Sequence, residues 1–148
     1  MIDIRVQAGT FDCGAELARL ESLGAGGLAS FTGIVRGDGD LVELLLEHHP
    51  AMTEQTMRAI AEEAERRWPL LGIIVVHRYG RLTVGERIVF VATASRHRAA
   101  ALESCAFLID WLKTKAPFWK RETFADGGSR WVDAKLEDDL AAQRWNGL

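Results

Sequence analysis

Only two cysteines, Cys13 and Cys105, occur in the 148 residues. They are too few and too far apart for a disulfide framework or a thiolate metal cluster. Three prolines, Pro50, Pro69 and Pro117, punctuate the chain without forming a linker. No apolar run approaches the roughly 18 residues that read as a membrane span. The start, Met1-Ile2-Asp3-Ile4-Arg5-Val6, lacks the apolar stretch of a secretory signal. Neither charge sign dominates: 18 Lys and Arg stand against 21 Asp and Glu, a net of −3. That balance argues against a coat for nucleic acid. HExxH, CxxC, GxSxG and the Walker and dinucleotide glycine patterns are all missing, which removes the usual signatures of zinc, thiol, serine-hydrolase and nucleotide chemistry. The expectation is one cytoplasmic domain spanning 1–148 that touches neither membrane nor nucleic acid.

What is present suffices for a core. Hydrophobic residues make up 48% and charged residues 26%, the proportions of a globular domain. Ile2, Ile4 and Val6 alternate with polar residues and predict a strand. Asp12 caps a helix over about 13–23, ended by Gly24. Residues 28–36 and 41–48 predict two strands about the turn Gly37-Asp38-Gly39-Asp40, hence a hairpin. Met57, Ile60, Ala61 and Ala64 fall at helical spacing, so 54–67 predicts a helix capped by Thr53. Runs 72–79 and 87–93 read as buried strands. Ser95 is placed to cap a long helix over 96–115 with Leu102, Cys105, Ala106, Ile109 and Leu112 inward. Residues 130–135 predict a last strand and 136–145 a short helix. Strands and helices mix without βαβ alternation, so the class is α+β.

Charge is concentrated in one stretch. Between Ser95 and Arg121, six Lys and Arg face two Asp and Glu, a net of +4 that leaves −7 for the rest. A local basic site on an acidic chain suits a small anion. Arg96-His97-Arg98 would sit in the first turn of the long helix, where cations oppose the helix dipole and a bound phosphate would relieve the conflict. Solvation at a fraying end accounts for them equally well. Lys113, Lys115, Lys120 and Arg121 surround Pro117-Phe118-Trp119. Lys120 follows two aromatics and a rigid turn, a setting that favours acid–base work. The compact Glu47-His48-His49 does not have zinc-ligand spacing.

Several runs in order resemble the catalytic (large) subunit of molybdopterin synthase. They are Phe31-Thr32-Gly33-Ile34-Val35-Arg36, Leu46 to Thr53 (LEHHPAMT), His77-Arg78-Tyr79-Gly80, Gly85-Glu86 and Ser95-Arg96-His97-Arg98. Asp110 to Glu122 (DWLKTKAPFWKRE) is the most diagnostic, and Arg130-Trp131-Val132 closes the series. The match spans about 28–135. It implies an α/β hammerhead with an additional antiparallel β subdomain. It also implies an enzyme that converts cyclic pyranopterin monophosphate (precursor Z) to molybdopterin. The sulfur comes from a small ubiquitin-like sulfur-carrier subunit whose Gly-Gly tail ends in a thiocarboxylate. The implied assembly is a heterotetramer around a dimer of large subunits, and the step needs no metal and no cofactor. By the same resemblance, Lys113 and Lys120 are catalytic. Ile34, Val35, Arg36, His97, Arg98, Lys113, Lys120, Arg121 and Glu122 contact substrate, with part of each site supplied by the adjacent large subunit. Ile34 stands where the family often has Lys, the 37–40 turn is shorter than the family's loop, and Lys135 carries no assigned role. The alternative is a non-catalytic module that binds a phosphate-bearing pterin.

Overall fold

Two four-stranded sheets and four helices make up the computed structural model, which describes residues 1–132 and 136–146. In chain order the elements are β1 (Ile2–Gln7), α1 (Cys13–Glu21), β2 (Gly27–Ile34), β3 (Leu41–His48) and α2 (Pro50–Arg67). Then come β4 (Leu70–Arg78), β5 (Gly80–Thr83), β6 (Arg87–Ser95) and α3 (Arg98–Lys115). Last are β7 (Phe118–Phe124), β8 (Ser129–Trp131) and α4 (Leu136–Gln143). The first sheet has the order β1-β4-β6-β2 and the second β5-β3-β7-β8. Only β1 and β4 run parallel; the other pairs are antiparallel. The α+β expectation holds.

The unbroken apolar run of β4 has a direct cause: both faces of the first sheet are covered. Ile73 and Val75 face α2 and α3, packing with Met57, Ile60, Phe107 and Leu108. Ile74 and Val76 face the other way, onto Phe11 and Leu20 beside α1. A third cluster, Val35, Leu44, Leu46 and Leu82, holds the second sheet against the loop after β2.

Several expectations change. The 28–36 and 41–48 strands do not form a hairpin: β2 pairs with β6, and β3 pairs with β5 and β7. Each buries one face against a different core, so the 37–40 turn carries the chain between sheets instead of folding it back. The second helix starts at Pro50, where the missing N–H and fixed φ of proline suit a first turn. Thr53 lies inside it, fully buried, its Oγ1 3.5 Å from the Pro117 carbonyl. The third helix starts at Arg98, not Arg96. Ser95 Oγ donates to the Pro69 carbonyl and accepts from His97 N–H, so His97 becomes the cap residue. Leu102, read as inward, is 58% exposed. Residues 118–124, given no element from sequence, form the strand β7, while the expected strand at 130–135 is seen in the described structure as the three residues of β8 (Ser129–Trp131); Lys135 lies outside the described residues.

Candidate active site

The C-terminus of α3, the open end of the first sheet and the inner face of β7 enclose a cleft of about 600 Å³. Strand periodicity decides which parts of the 118–122 run enter it. Side chains alternate along a strand, so Phe118, Lys120 and Glu122 line the cleft. Trp119 and Arg121 lie on the opposite face, with Trp119 half exposed and the Arg121 guanidinium 5.6 Å from the Trp131 ring. β3 contributes Leu44 on the inner side. One turn after Lys113, α3 ends at Ala116, and Pro117 switches the chain to extended structure. That short link lets a helix-borne Lys113 and a strand-borne Lys120 share one cavity.

The rest of the wall is apolar on one side, with Phe31, Val89, Val91 and Ile109, and polar at the rim. Ile34 and Arg36 are exposed at the end of β2, and Val35 is buried between them. Arg36 pairs with Asp38 at 2.6 Å. Both side chains are largely in solvent, so the pair is weak and yields readily to an anionic ligand. Glu122 is 3.5 Å from Arg130.

Three of the expected contacts do not converge with these within one chain: Arg121, which strand alternation turns away from the cleft, and His97 and Arg98. His97 and Arg98 are exposed at the start of α3. Lys113 stands in its last turn, and sixteen residues of helical rise separate His97 from it by ~24 Å. No small ligand touches both ends of that helix in a single protomer.

His77 and Phe118 fall within the family-like runs but were given no role at the site from sequence. His77 is the one polar residue on the inner face of β4, in register with Ile73 and Val75, and that break in an apolar run was the available signal. Its ring stacks on Phe118 at 3.7 Å with planes 15° apart. Its Nδ1 lies 2.8 Å from the Arg78 carbonyl. Burial pushes its pKa down to about 4, and the positive charges of Lys120 and His48 act in the same direction. His48, on β3, is itself lowered by burial and by His49. The Cys105 thiol is pushed up to about 11 by burial, as suits a packing residue. Among the described residues no three His, Cys, Asp or Glu side chains group so as to hold a metal ion, and no helix is long and apolar enough to cross a membrane.

Comparison with known proteins settles the lineage. A family model described as "MoaE protein" matches residues 6–115. The molybdopterin synthase catalytic subunit of Pseudomonas aeruginosa is 50% identical over 147 residues, covering 96% of this chain and 97% of that one. The chain belongs to the MoaE family. The solved molybdopterin biosynthesis MoaE protein of Burkholderia ambifaria MC40-6 superposes with a TM-score of 0.85 at 49% identity, covering 98% of each chain. Molybdopterin synthase from Staphylococcus aureus superposes at 0.79 with 27% identity, over 86% of this chain and 95% of that one. The fold is therefore that of the MoaE family, and in this chain the 113–122 run is a helix end, a proline turn and a strand.

Proposed function

We propose that this chain is the catalytic subunit of a molybdopterin synthase and that the cleft between α3 and β7 is its sulfur-transfer site. The observation that carries the reading is the meeting of Lys113 and Lys120 in one cavity from two different elements. The substrate, cyclic pyranopterin monophosphate, bears a phosphate, and the donor tail of the small ubiquitin-like subunit ends in a thiocarboxylate. Two anions must approach each other. Ammonium groups fixed around them offset that repulsion most strongly where apolar walls exclude water.

Lys113 holds the thiocarboxylate end. Lys120 stabilises charge and moves protons as sulfur attacks the pterin side-chain carbons. Phe31 and Phe118 offer flat apolar surface to the ring system, and Arg36 at the rim receives the phosphate once it leaves Asp38. His97 and Arg98 serve the site of a second copy, because the length of α3 keeps them from their own. A dimer of these chains flanked by two small subunits accommodates that sharing. The 148 residues act as one domain, in the cytoplasm.

The test is reconstitution. Purified protein, cyclic pyranopterin monophosphate and a thiocarboxylated small subunit are combined, and dithiolene-bearing molybdopterin is measured. Lys113→Ala and Lys120→Ala are each expected to lower turnover by about 10²–10⁴-fold, the contribution of a positioned acid or base, with unchanged thermal unfolding. Pterin binding without turnover, with a donor shown active on another large subunit, would leave a binding module in place of an enzyme.

A further inference from the structure

The cleft is bounded by cations at Lys113, Lys120 and Arg36, yet one wall carries a side chain of the opposite hydrogen-bonding character. His77 Nδ1 sits 2.8 Å from a carbonyl oxygen. A carbonyl only accepts, so Nδ1 must carry the proton, and the neutral ring then has Nε2 as a bare acceptor. Three features hold the ring in that state and place. The stack on Phe118 fixes its plane. The Arg78 backbone fixes its rotation. Only 9% of the residue is exposed, and it lines the cleft. Arg78 is in turn clamped by its own side chain, which donates to the carbonyls of Ala8 and Arg87, so the carbonyl that orients His77 belongs to a rigid strand end.

Burial, with the neighbouring charge of Lys120, keeps the imidazole neutral across the physiological range. It therefore adds no positive charge to the cleft and serves poorly as a base. What it offers is a fixed acceptor among donors. The anionic groups of the substrate are met by lysine and arginine; the N–H and O–H groups of its ring system need the reverse.

We infer that His77 is a specificity-determining residue of this site, presenting Nε2 as the acceptor for an N–H or O–H donor on the pterin ring system. The inference rests on the sulfur-transfer reading of the cleft and adds to it the element that distinguishes a pterin from other phosphate-bearing anions. Because Phe118 lies two residues before Lys120 on the same face of β7, the same stack also ties substrate recognition to the strand that carries Lys120.

The experiment is a binding measurement separable from turnover. Cyclic pyranopterin monophosphate alone is titrated into the full chain with ¹⁵N-labelled histidine. The His77 Nε2 resonance, identified by its loss in His77→Asn, is expected to be unprotonated in the free protein and to shift on binding, with Nδ1 little changed. His77→Asn keeps a donor near the Nδ1 position and is expected to weaken binding about tenfold, the effect of one hydrogen bond. His77→Gln returns an acceptor near the Nε2 position and is expected to recover affinity to within about threefold. In reconstituted synthase the Asn change appears in KM with kcat within about threefold. An unmoved Nε2 resonance at saturating pterin overturns the inference whether or not the variants fold, and so does wild-type affinity in His77→Asn. Failure of the wild type to form molybdopterin while it binds pterin would instead overturn the reading of the cleft as a synthase site.

Discussion

Replacing His77 by Phe should reverse the order of stability between variant and wild type as pH falls. The folded-state pKa of His77 is about 4, against an ordinary value of 6.5. The folded protein thus binds this proton less readily than the unfolded chain, and stability rises with pH wherever the unfolded state holds more protons. The stabilising effect of the neutral ring is fully present above pH 6.5 and is lost as pH falls from there to about 4. Integrated over that window it amounts to about 3 kcal/mol, of which about 2 kcal/mol is gone by pH 5. Phe keeps the stack on Phe118 but leaves the Arg78 carbonyl without its donor, a cost of about 1 kcal/mol at any pH. His77→Phe is therefore expected to be about 1 kcal/mol less stable than wild type at pH 7.5 and about 1 kcal/mol more stable at pH 5. The curves should cross near about pH 6. Urea unfolding at half-unit steps from pH 4.5 to 8 measures this directly. The charged neighbours Lys120 on β7 and His48 on β3 remain in both proteins, so their own titrations largely cancel in the difference. Parallel curves over the whole range would refute the argument, because they would mean that His77 gains its proton in the folded state as easily as in the unfolded one.

Phe107 is fully buried, with its ring 4.5 Å from Trp111, 5.4 Å from Trp68 and 5.7 Å from Trp145. Phe107→Ala should cost about 3–5 kcal/mol and lower Tm by about 10 °C in calorimetry; a loss below about 1 kcal/mol would show that this aromatic cluster is not the cement of the α2–α3 contact. At Gly26 an added Cβ would lie 2.5 Å from the Arg96 carbonyl oxygen. Gly26→Ala should therefore shift the 96–97 backbone at a cost of about 1–3 kcal/mol, read as a lower urea midpoint, whereas an unchanged midpoint would show that the approach relaxes freely.

The aromatic and charged cluster of 113–122 was legible as a candidate site because its chemistry is local: three lysines, a proline and two aromatics fall within eight residues. The buried strands at 72–79 and 87–93, the Asp12 cap and the stripe of α2 were legible for the same reason, since side-chain periods of 2 and 3.6 are written in neighbouring residues. The Asp12 carboxylate does accept from Ala15 N–H. Position was harder. Thr53 looked like a cap because cap chemistry is also local, but burial against the Pro117 turn overrode it.

By itself the sequence determined the α+β class, the basic cluster and the family. It also contained the period that sends Lys120 and Arg121 to opposite faces, once 118–124 is known to be a strand. Only the tertiary structure decided that β2 and β3 belong to different sheets, that β3 pairs with β7, and that His77 lies against Phe118 forty-one residues away. The physical reason is that strand pairing is chosen by long-range burial. A strand's alternation says which face is apolar, not which distant core will cover it.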